Sequence, residues 1–148
     1  MTEPRSTELS SETVHASAVA IDGRVVLIEG RSGEGKSDLA LRLIDRGASL
    51  VADDCTLCVR DAGVLIARPP ERIAGQIEVR GIGIIAIDHV SDLPVALVVS
   101  ILDAPPRMPE PRSRRIAGVD IPQIALTALE PSAPIKVEYA LERLGLAP

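Results

Sequence analysis

Aromatic residues are almost absent from this sequence. Its 148 residues include one Tyr, Tyr139, and no Phe or Trp. Proteins that bind single-stranded nucleic acid stack bases on aromatic side chains, and the formal net charge of −5 disfavours a phosphate-backbone partner. We therefore expect no nucleic-acid partner, and we expect a hydrophobic core built from Val, Ile, Leu and Ala.

Cysteines and long apolar runs are also scarce. Cys55 and Cys58 form a C-x-x-C pair, but they lie in an alternating stretch typical of a strand, where residues three apart face opposite sides. We interpret both as small strand residues of a protein in a reducing cytoplasm. The longest apolar stretch, residues 94–102, is too short to cross a membrane, and the polar N-terminal segment lacks the features of a secretory signal. The expected location is therefore cytoplasmic, without a membrane partner.

The rest of the composition is that of an ordinary soluble protein, with 46% hydrophobic and 25% charged residues. The length suits one domain, so we predict a flexible tail over residues 1–12 and one α/β domain over 13–148, with more strand than helix. The residue pattern predicts hairpins at 14–29 and 56–67, strands at 48–52, 95–102 and within 76–87, helices at 37–46 and 134–144, a surface loop over 104–115, and a strand–turn–strand at 116–128 with its turn near Asp120 and Pro122.

Lysine is scarce too, because 14 of the 16 basic residues are arginines and only Lys36 and Lys136 are lysines. Lys36 lies in the segment Gly30–Ser37, hereafter the phosphate loop, which fits the pattern G-x-x-x-x-G-K-[ST]. In this pattern backbone N–H groups cradle phosphates, the lysine meets the β- and γ-phosphates, and the last hydroxyl binds Mg²⁺. The candidate nucleotide-binding residues are Gly30, Arg31, Ser32, Gly33, Glu34, Gly35, Lys36 and Ser37.

The surroundings of the phosphate loop favour a nucleotide site over the alternative, a structural glycine-rich turn with an unrelated lysine. An apolar strand is predicted before the loop and an amphipathic helix after it, so the helix N terminus would face the phosphates. A lysine in an arginine-rich chain also indicates a role that needs a point charge rather than a planar fork. Because aromatic residues are lacking, we expect aliphatic side chains to hold the adenine.

Two acidic residues, Asp53 and Asp54, end the strand predicted after this helix. Active-site residues gather at the carboxyl ends of strands in open α/β sheets. One carboxylate is suited to the Mg²⁺ shell and the other to accepting a proton from an attacking hydroxyl; the alternative is an ordinary turn at a strand end. The segment Glu78–Gly83 is less specific, because its glycines fit a bulge, and Glu78 and Arg80 fit a surface ion pair.

Together these motifs resemble the C-terminal catalytic domain of the bacterial HPr kinase/phosphorylase family. The resemblance extends over about residues 14–145 and follows the order of His15, the phosphate loop, the segment Leu50–Asp54 and the segment Glu78–Ile85. It implies an architecture like that of phosphoenolpyruvate carboxykinase, and a kinase that uses ATP and Mg²⁺ to phosphorylate a serine of HPr, a phosphocarrier of the phosphotransferase system. It also implies a homo-oligomer, a hexamer in full-length relatives.

The resemblance also implies a role for each site residue. Gly30–Ser37 would bind ATP, with Lys36 at the phosphates and Ser37 on Mg²⁺. Asp54 would take the proton of the target serine and return it in the reverse reaction, while Asp53 and Glu78 would be metal-side carboxylates.

Two further catalytic residues are implied less directly. His15 would lie near the reacting phosphate. A family arginine falls in the proline-rich loop, where Arg107 is the candidate and three other arginines compete with it. These competitors are Arg112, Arg114 and Arg115.

The sequence departs from the family pattern at two places. It starts almost at the kinase core, so the resemblance is to a short, alphaproteobacterial-type form expected to lack the usual N-terminal domain. The stretch Pro131–Pro134 has no arginine where the family carries a Pro-Gly-Arg-Asn type loop tied to dephosphorylation, which leaves phosphorylase activity open.

Two other functions fit the phosphate loop: a kinase of a small metabolite, and a nucleotide-binding regulatory module without catalysis.

Overall fold

Strands outnumber helices in the computed structural model, which describes residues 10–31, 33–108 and 110–148. The mixed, strand-rich α/β class predicted from the sequence is confirmed. The elements are β1 (Ser11–Val14), β2 (Ala16–Ile21), β3 (Arg24–Glu29), α1 (Lys36–Asp45), β4 (Ser49–Ala52), β5 (Thr56–Asp61), β6 (Val64–Arg68), a 3₁₀ turn (Glu71–Ile73), β7 (Gln76–Val79), β8 (Gly83–Ala86), β9 (Leu93–Ile101), β10 (Arg112–Ile116), β11 (Val119–Leu126) and α2 (Ala133–Leu144).

Nine of these strands form one mixed sheet with the order β1-β5-β6-β9-β3-β2-β4, and β10 and β11 continue from β9. β3, β9 and β11 run parallel to one another. β4 has the same direction, since both β3 and β4 pair antiparallel with β2. The carboxyl ends of four strands therefore meet at one edge of the sheet, while β7 and β8 form a separate hairpin.

The central strands are apolar on both faces, because both faces are covered. In β3, Val26 and Ile28 pack into the core beneath α1 and α2. Val25 and Leu27 point to the opposite side and pack into a second core with residues of β5 and β6. This double burial explains why β3 reads as a continuous apolar run and not as an alternating one.

The two helices lie on the same side of the sheet and join through an ion pair. Leu39, Ala40 and Leu43 of α1 are buried in the first core together with Val137 and Leu141 of α2. Arg46, just after α1, donates to both carboxylate oxygens of Glu138 at 2.7–3.1 Å. Within the described ranges, no helix is long and apolar enough to cross a membrane.

The region after β9 differs from the sequence prediction. Residues 112–115 belong to strand β10 and not to a surface loop, and the turn before β11 lies at Ala117 and Gly118, both with positive φ. Asp120 and Pro122 lie inside β11 instead of near the turn. Pro122 pairs with Ser113 of β10, while the pairing of β11 with β9 starts only at Gln123. At Pro122 the strand therefore has a neighbour on one side only, an edge-like place that tolerates proline.

The end of the N-terminal segment also differs from the sequence prediction. β1 begins at Ser11, inside the segment predicted as a flexible tail over residues 1–12, and pairs antiparallel with β5. The alternation of residues 11–14 is weak, and only Val14 is buried. Pairing with a distant strand, rather than local sequence, therefore decides the structure of this segment. The rest of the tail, residues 1–9, lies outside the described residues.

The two cysteines are free thiols in different surroundings. Cys58 is fully buried in the second core, and burial raises the pKa of its thiol to about 12. Cys55 is partly exposed in the turn before β5, so the prediction of a strand residue is confirmed for Cys58 and wrong for Cys55, which follows the tight turn at Asp54. Because the thiolate is the reactive form, a thiol reagent near pH 8 should modify one cysteine per folded chain and a second only after unfolding.

Counting reacted thiols with Ellman's reagent, with and without guanidinium chloride, tests this expectation. The Cys55→Ser variant is the control and should show almost no reaction while folded. Reaction of both thiols at similar rates in the folded wild-type chain would contradict the assigned burial of Cys58.

Candidate active site

A wide cleft lies where the parallel strands end. It has a volume of about 770 Å³, in the usual range for small-molecule sites. β3 leads into the phosphate loop, β4 into the acidic pair, and β9 and β11 into the opposite wall. The lining residues are Gly33, Glu34, Gly35, Lys36, Ser37, Asp38, Leu41, Asp54, Glu78, Val79, Arg80, Ile101, Leu102, Asp103, Thr127, Ala128 and Leu129.

The phosphate loop connects β3 to the first turn of α1. Gly33 and Gly35 have φ of 84° and 98°, a left-handed conformation that glycine adopts without steric cost. α1 begins at Lys36, so its free N–H groups and partial positive charge face the cleft. Five of the eight predicted loop residues line the cleft; Ser32 lies outside the described residues. Arg31 is exposed and forms an ion pair with Glu34 at 2.5 Å.

Lys36 is buried among groups that compensate its charge. Its side chain is 5% exposed; Nζ donates to the carbonyl oxygen of Gly30 at 2.9 Å and lies 3.2 Å from Oδ1 of Asp54. The Asp54 side chain is 63% exposed. A buried cation and a solvent-facing carboxylate are therefore held side by side, with the anion open to a second molecule.

Asp53 accepts hydrogen bonds from three different elements. Its side chain is buried, Oδ1 accepts from Ser37 Oγ at 2.6 Å and from Ser17 Oγ at 2.9 Å, and Oδ2 accepts from the backbone N–H of Glu78 at 2.9 Å. A buried carboxylate needs such donors, since an unpaired buried charge is costly. Asp53 thereby joins β2, α1 and β7 at the floor of the cleft.

Asp54 lies at the centre of a tight turn. Its φ is 63°, and the N–H of Cys55 donates to the carbonyl oxygen of Asp53 at 2.7 Å. A hydrogen bond between residues two apart around a positive φ is the mark of a γ-turn, which is rare and strained. Strain of this kind gathers at functional sites, so the geometry favours a functional reading of the acidic pair over an ordinary strand-end turn.

The β7–β8 hairpin closes one side of the cleft. Glu78 and Arg80 both line it, and Arg80 Nη2 lies 3.4 Å from the carbonyl oxygen of Gly33. Gly81 and Gly83 have positive φ; Gly81 lies in the turn of the hairpin and Gly83 begins β8. Glu78 meets Asp53 through its backbone N–H, and its side chain is free of that contact.

Two of the four predicted catalytic residues, His15 and Arg107, do not line this cleft. His15 is exposed at the bend between β1 and β2, and Arg107 is exposed between β9 and β10. Of the competing arginines, Arg114 pairs with Glu29 at 3.0 Å and Arg115 with Asp120 at 3.0 Å. Arg112 is exposed at the start of β10. The structure thus brings together the phosphate loop, the acidic pair and Glu78, without His15 or the four arginines.

Ser17 was not identified from the sequence, and the expected aliphatic contact for the adenine was not assigned to particular residues. Ser17 gives one signal in the sequence, a hydroxyl in an otherwise apolar strand, but its partners lie 36 and 37 residues away. The wall consists of Ile101, Leu102, Ala128 and Leu129, after the ends of β9 and β11. Arg42 of α1 supports this wall by donating to the carbonyl oxygens of Ala128 and of Glu130, the latter at 3.1 Å.

Comparison with known proteins identifies relatives of this chain. Residues 7–92 match the family described as HPr Serine kinase C-terminal domain. The HPr kinase/phosphorylase of Lactobacillus acidophilus is 31% identical over 144 residues, which cover 88% of this chain and 42% of that protein. The HPr kinase/phosphorylase of Bacillus subtilis is 47% identical over 75 residues, 50% of this chain and 24% of that protein. The chain therefore spans less than half the length of these relatives.

A solved structure matches this chain over a larger share of its own length than either of these relatives does. The Hpr(Ser) kinase/phosphatase from Coxiella burnetii matches with a TM-score of 0.76 and 32% sequence identity, and the match covers 88% of this chain and 94% of that chain. The resemblance read from the motifs is thus confirmed at the level of sequence and fold.

Proposed function

The chain belongs to the HPr serine kinase C-terminal domain family, and we propose on this basis that it transfers a phosphoryl group from ATP to a serine of an HPr-type phosphocarrier protein. One observation carries the proposal, the pair of contacts at the phosphate loop. Lys36 lies 3.2 Å from Asp54, and Ser37 lies 2.6 Å from Asp53. A phosphate-binding cation, an exposed carboxylate and a hydroxyl–carboxylate pair therefore share one cleft.

The nucleotide would occupy the cleft with its phosphates at the loop. Backbone N–H groups of Gly33–Ser37, the N terminus of α1 and the Lys36 ammonium would hold the phosphate oxygens. The base would pack against Leu102, Ala128 and Leu129, which offer aliphatic contact in a chain without Phe or Trp.

The oxygen donors at the floor of the cleft fit Mg²⁺. Mg²⁺ prefers hard oxygen ligands and is held in such enzymes by one or two carboxylates plus substrate phosphates. The Ser37 hydroxyl and the Asp53 carboxylate would supply protein oxygens, and Glu78, which lines the same cleft, would add a further carboxylate. When bound there, Mg²⁺ would neutralise charge on the phosphates.

We assign Asp54 as the general base, the group that accepts the proton of the attacking serine hydroxyl. As the serine oxygen of the partner forms its bond to the γ-phosphorus, the bond from that phosphorus to the bridging oxygen of ADP breaks, and the hydroxyl proton passes to the Asp54 carboxylate. Lys36 stabilises the charge on the transferring group. Because the Asp54 side chain is 63% exposed, a serine on the surface of another protein can reach it.

Incubation with labelled ATP, Mg²⁺ and a purified HPr-type protein tests the proposal. We expect label on a serine of the HPr-type protein, none when that serine is replaced by alanine, and a loss of label when inorganic phosphate is added if the reaction also runs in reverse. Label on a small metabolite in a cell extract, or nucleotide binding without any transfer, would instead support one of the two other functions and overturn the proposal.

The same assay tests the remaining assignments. His15→Ala and Arg107→Ala measure the roles proposed for these two exposed residues, and Arg143→Ala, at an exposed position of α2, provides the control. Sizing by light scattering tests the homo-oligomer, proposed here as a hexamer from the family resemblance.

A further inference from the structure

Ser17 is a polar residue in a place where the strand is otherwise apolar. It lies in β2 among Ala16, Ala18 and Val19, and its side chain is fully buried. A buried hydroxyl is costly unless it is hydrogen-bonded. The hydrogen-bond partners of Ser17 should therefore explain why a hydroxyl is present at this position.

Both partners of Ser17 belong to the acidic pair. Its Oγ donates to Oδ1 of Asp53 at 2.9 Å and accepts from the backbone N–H of Asp54 at 3.1 Å. A hydroxyl has one proton to give and lone pairs to accept with, so a single side chain ties the Asp53 carboxylate to the Asp54 backbone.

We propose that Ser17 is a positioning residue for phosphoryl transfer: it holds the Asp53 carboxylate and the strained turn at Asp54 in the arrangement that the reaction needs. This inference rests on the proposed function. Ser17 is fully buried and does not line the cleft, so it acts through the two aspartates and not on the substrate.

The need for such support follows from the turn itself. Asp54 has a φ of 63°, a conformation that is uncommon for L-residues and that surrounding contacts help to hold. Removing the hydroxyl leaves the Asp54 N–H without this acceptor, so the turn can relax and move the carboxylate beside Lys36. Misplacement of a reacting group by about 1 Å can cost about 100-fold in rate.

Ser17 also differs from Ser37, the other hydroxyl on Asp53. Ser37 lines the cleft, so a bound nucleotide and its metal compete for the Ser37 hydroxyl. They cannot compete for the buried hydroxyl of Ser17. Of the two hydroxyl hydrogen bonds to Asp53, the one from Ser17 is therefore expected to persist when nucleotide and metal are bound.

The test compares two buried hydroxyl deletions. Ser17→Ala is expected to lower kcat for phosphoryl transfer about 10- to 100-fold, with the KM values for ATP and for the HPr-type protein within about threefold of wild type. The control is Thr56→Val, because Thr56 is equally buried and its hydroxyl donates to the carbonyl oxygen of Ala16 at 2.8 Å, a bond that involves neither aspartate. Thr56→Val should keep kcat within about threefold, and Ser17→Thr, which retains a hydroxyl, should regain most of the rate.

Amide hydrogen exchange gives a readout that does not depend on activity. The Asp54 N–H should exchange faster in Ser17→Ala than in wild type, and at the wild-type rate in Thr56→Val. A folded Ser17→Ala with wild-type kcat and unchanged exchange at Asp54 overturns the proposal, as does an equal kcat loss in Thr56→Val. If the wild-type chain transfers no phosphate to an HPr-type protein, the proposed function fails, whereas the exchange rates still decide whether Ser17 holds the turn.

Discussion

Asp54→Asn is expected to abolish most of the phosphoryl transfer, lowering kcat about 100- to 10,000-fold, the usual contribution of a general base. Asparagine has nearly the same size and shape but does not accept the proton of the attacking hydroxyl. Its amide oxygen can still accept from Lys36, which also keeps its bond to the Gly30 carbonyl at 2.9 Å. Nucleotide affinity, measured with a fluorescent ATP analogue, should therefore stay within about threefold of wild type.

The backbone makes asparagine a sharper choice than alanine at this position. Asp54 has a φ of 63°, a region where Asp and Asn are enriched and where other L-residues cost about 1–2 kcal/mol. Asp54→Ala therefore mixes loss of the carboxylate with strain, and thermal unfolding should show it less stable than Asp54→Asn. A wild-type rate in the Asn variant would mean that Asp54 is not the base.

The parts of the site that are local in sequence could be predicted before the structure. The phosphate loop is a contiguous pattern whose glycines, lysine and hydroxyl each have a fixed role, and the structure places five of its residues on the cleft. The acidic pair follows from its position at the end of a strand. The strands and helices follow from apolar runs and from turn residues such as Asp22 and Gly23, both of which have positive φ.

The parts that depend on distant pairing could not be predicted. Ser17 meets Asp53 across 36 residues, and no local pattern says which two strands are neighbours. Glu78 was identified for its carboxylate, yet it meets Asp53 through its backbone N–H, a group that every residue except proline carries. β10 was not predicted because its arginines follow a proline-rich stretch typical of a loop, while pairing with β11 makes it a strand.

Lys36→Arg is expected to inactivate the protein although the charge is kept. The site holds a compact ammonium: the side chain is 5% exposed, and Nζ lies between the Gly30 carbonyl at 2.9 Å and the Asp54 carboxylate at 3.2 Å. A planar guanidinium has a different shape and a fixed fork of donors, so it cannot occupy this place without displacing the loop. We expect transfer to fall about 100- to 1,000-fold, as when a charge-stabilising donor is lost.

The other lysine of the chain supplies the matched control. Lys136 is 48% exposed at the start of α2 and forms an ion pair with Glu130 at 2.5 Å, a surface contact that arginine can make equally well. Lys136→Arg should therefore keep the wild-type rate and nucleotide affinity in the same assay. If Lys36→Arg also retained activity, charge alone would be enough at this position. The scarcity of lysine would then say nothing about function. A loss of activity in Lys36→Arg but not in Lys136→Arg would show that the site requires an ammonium group.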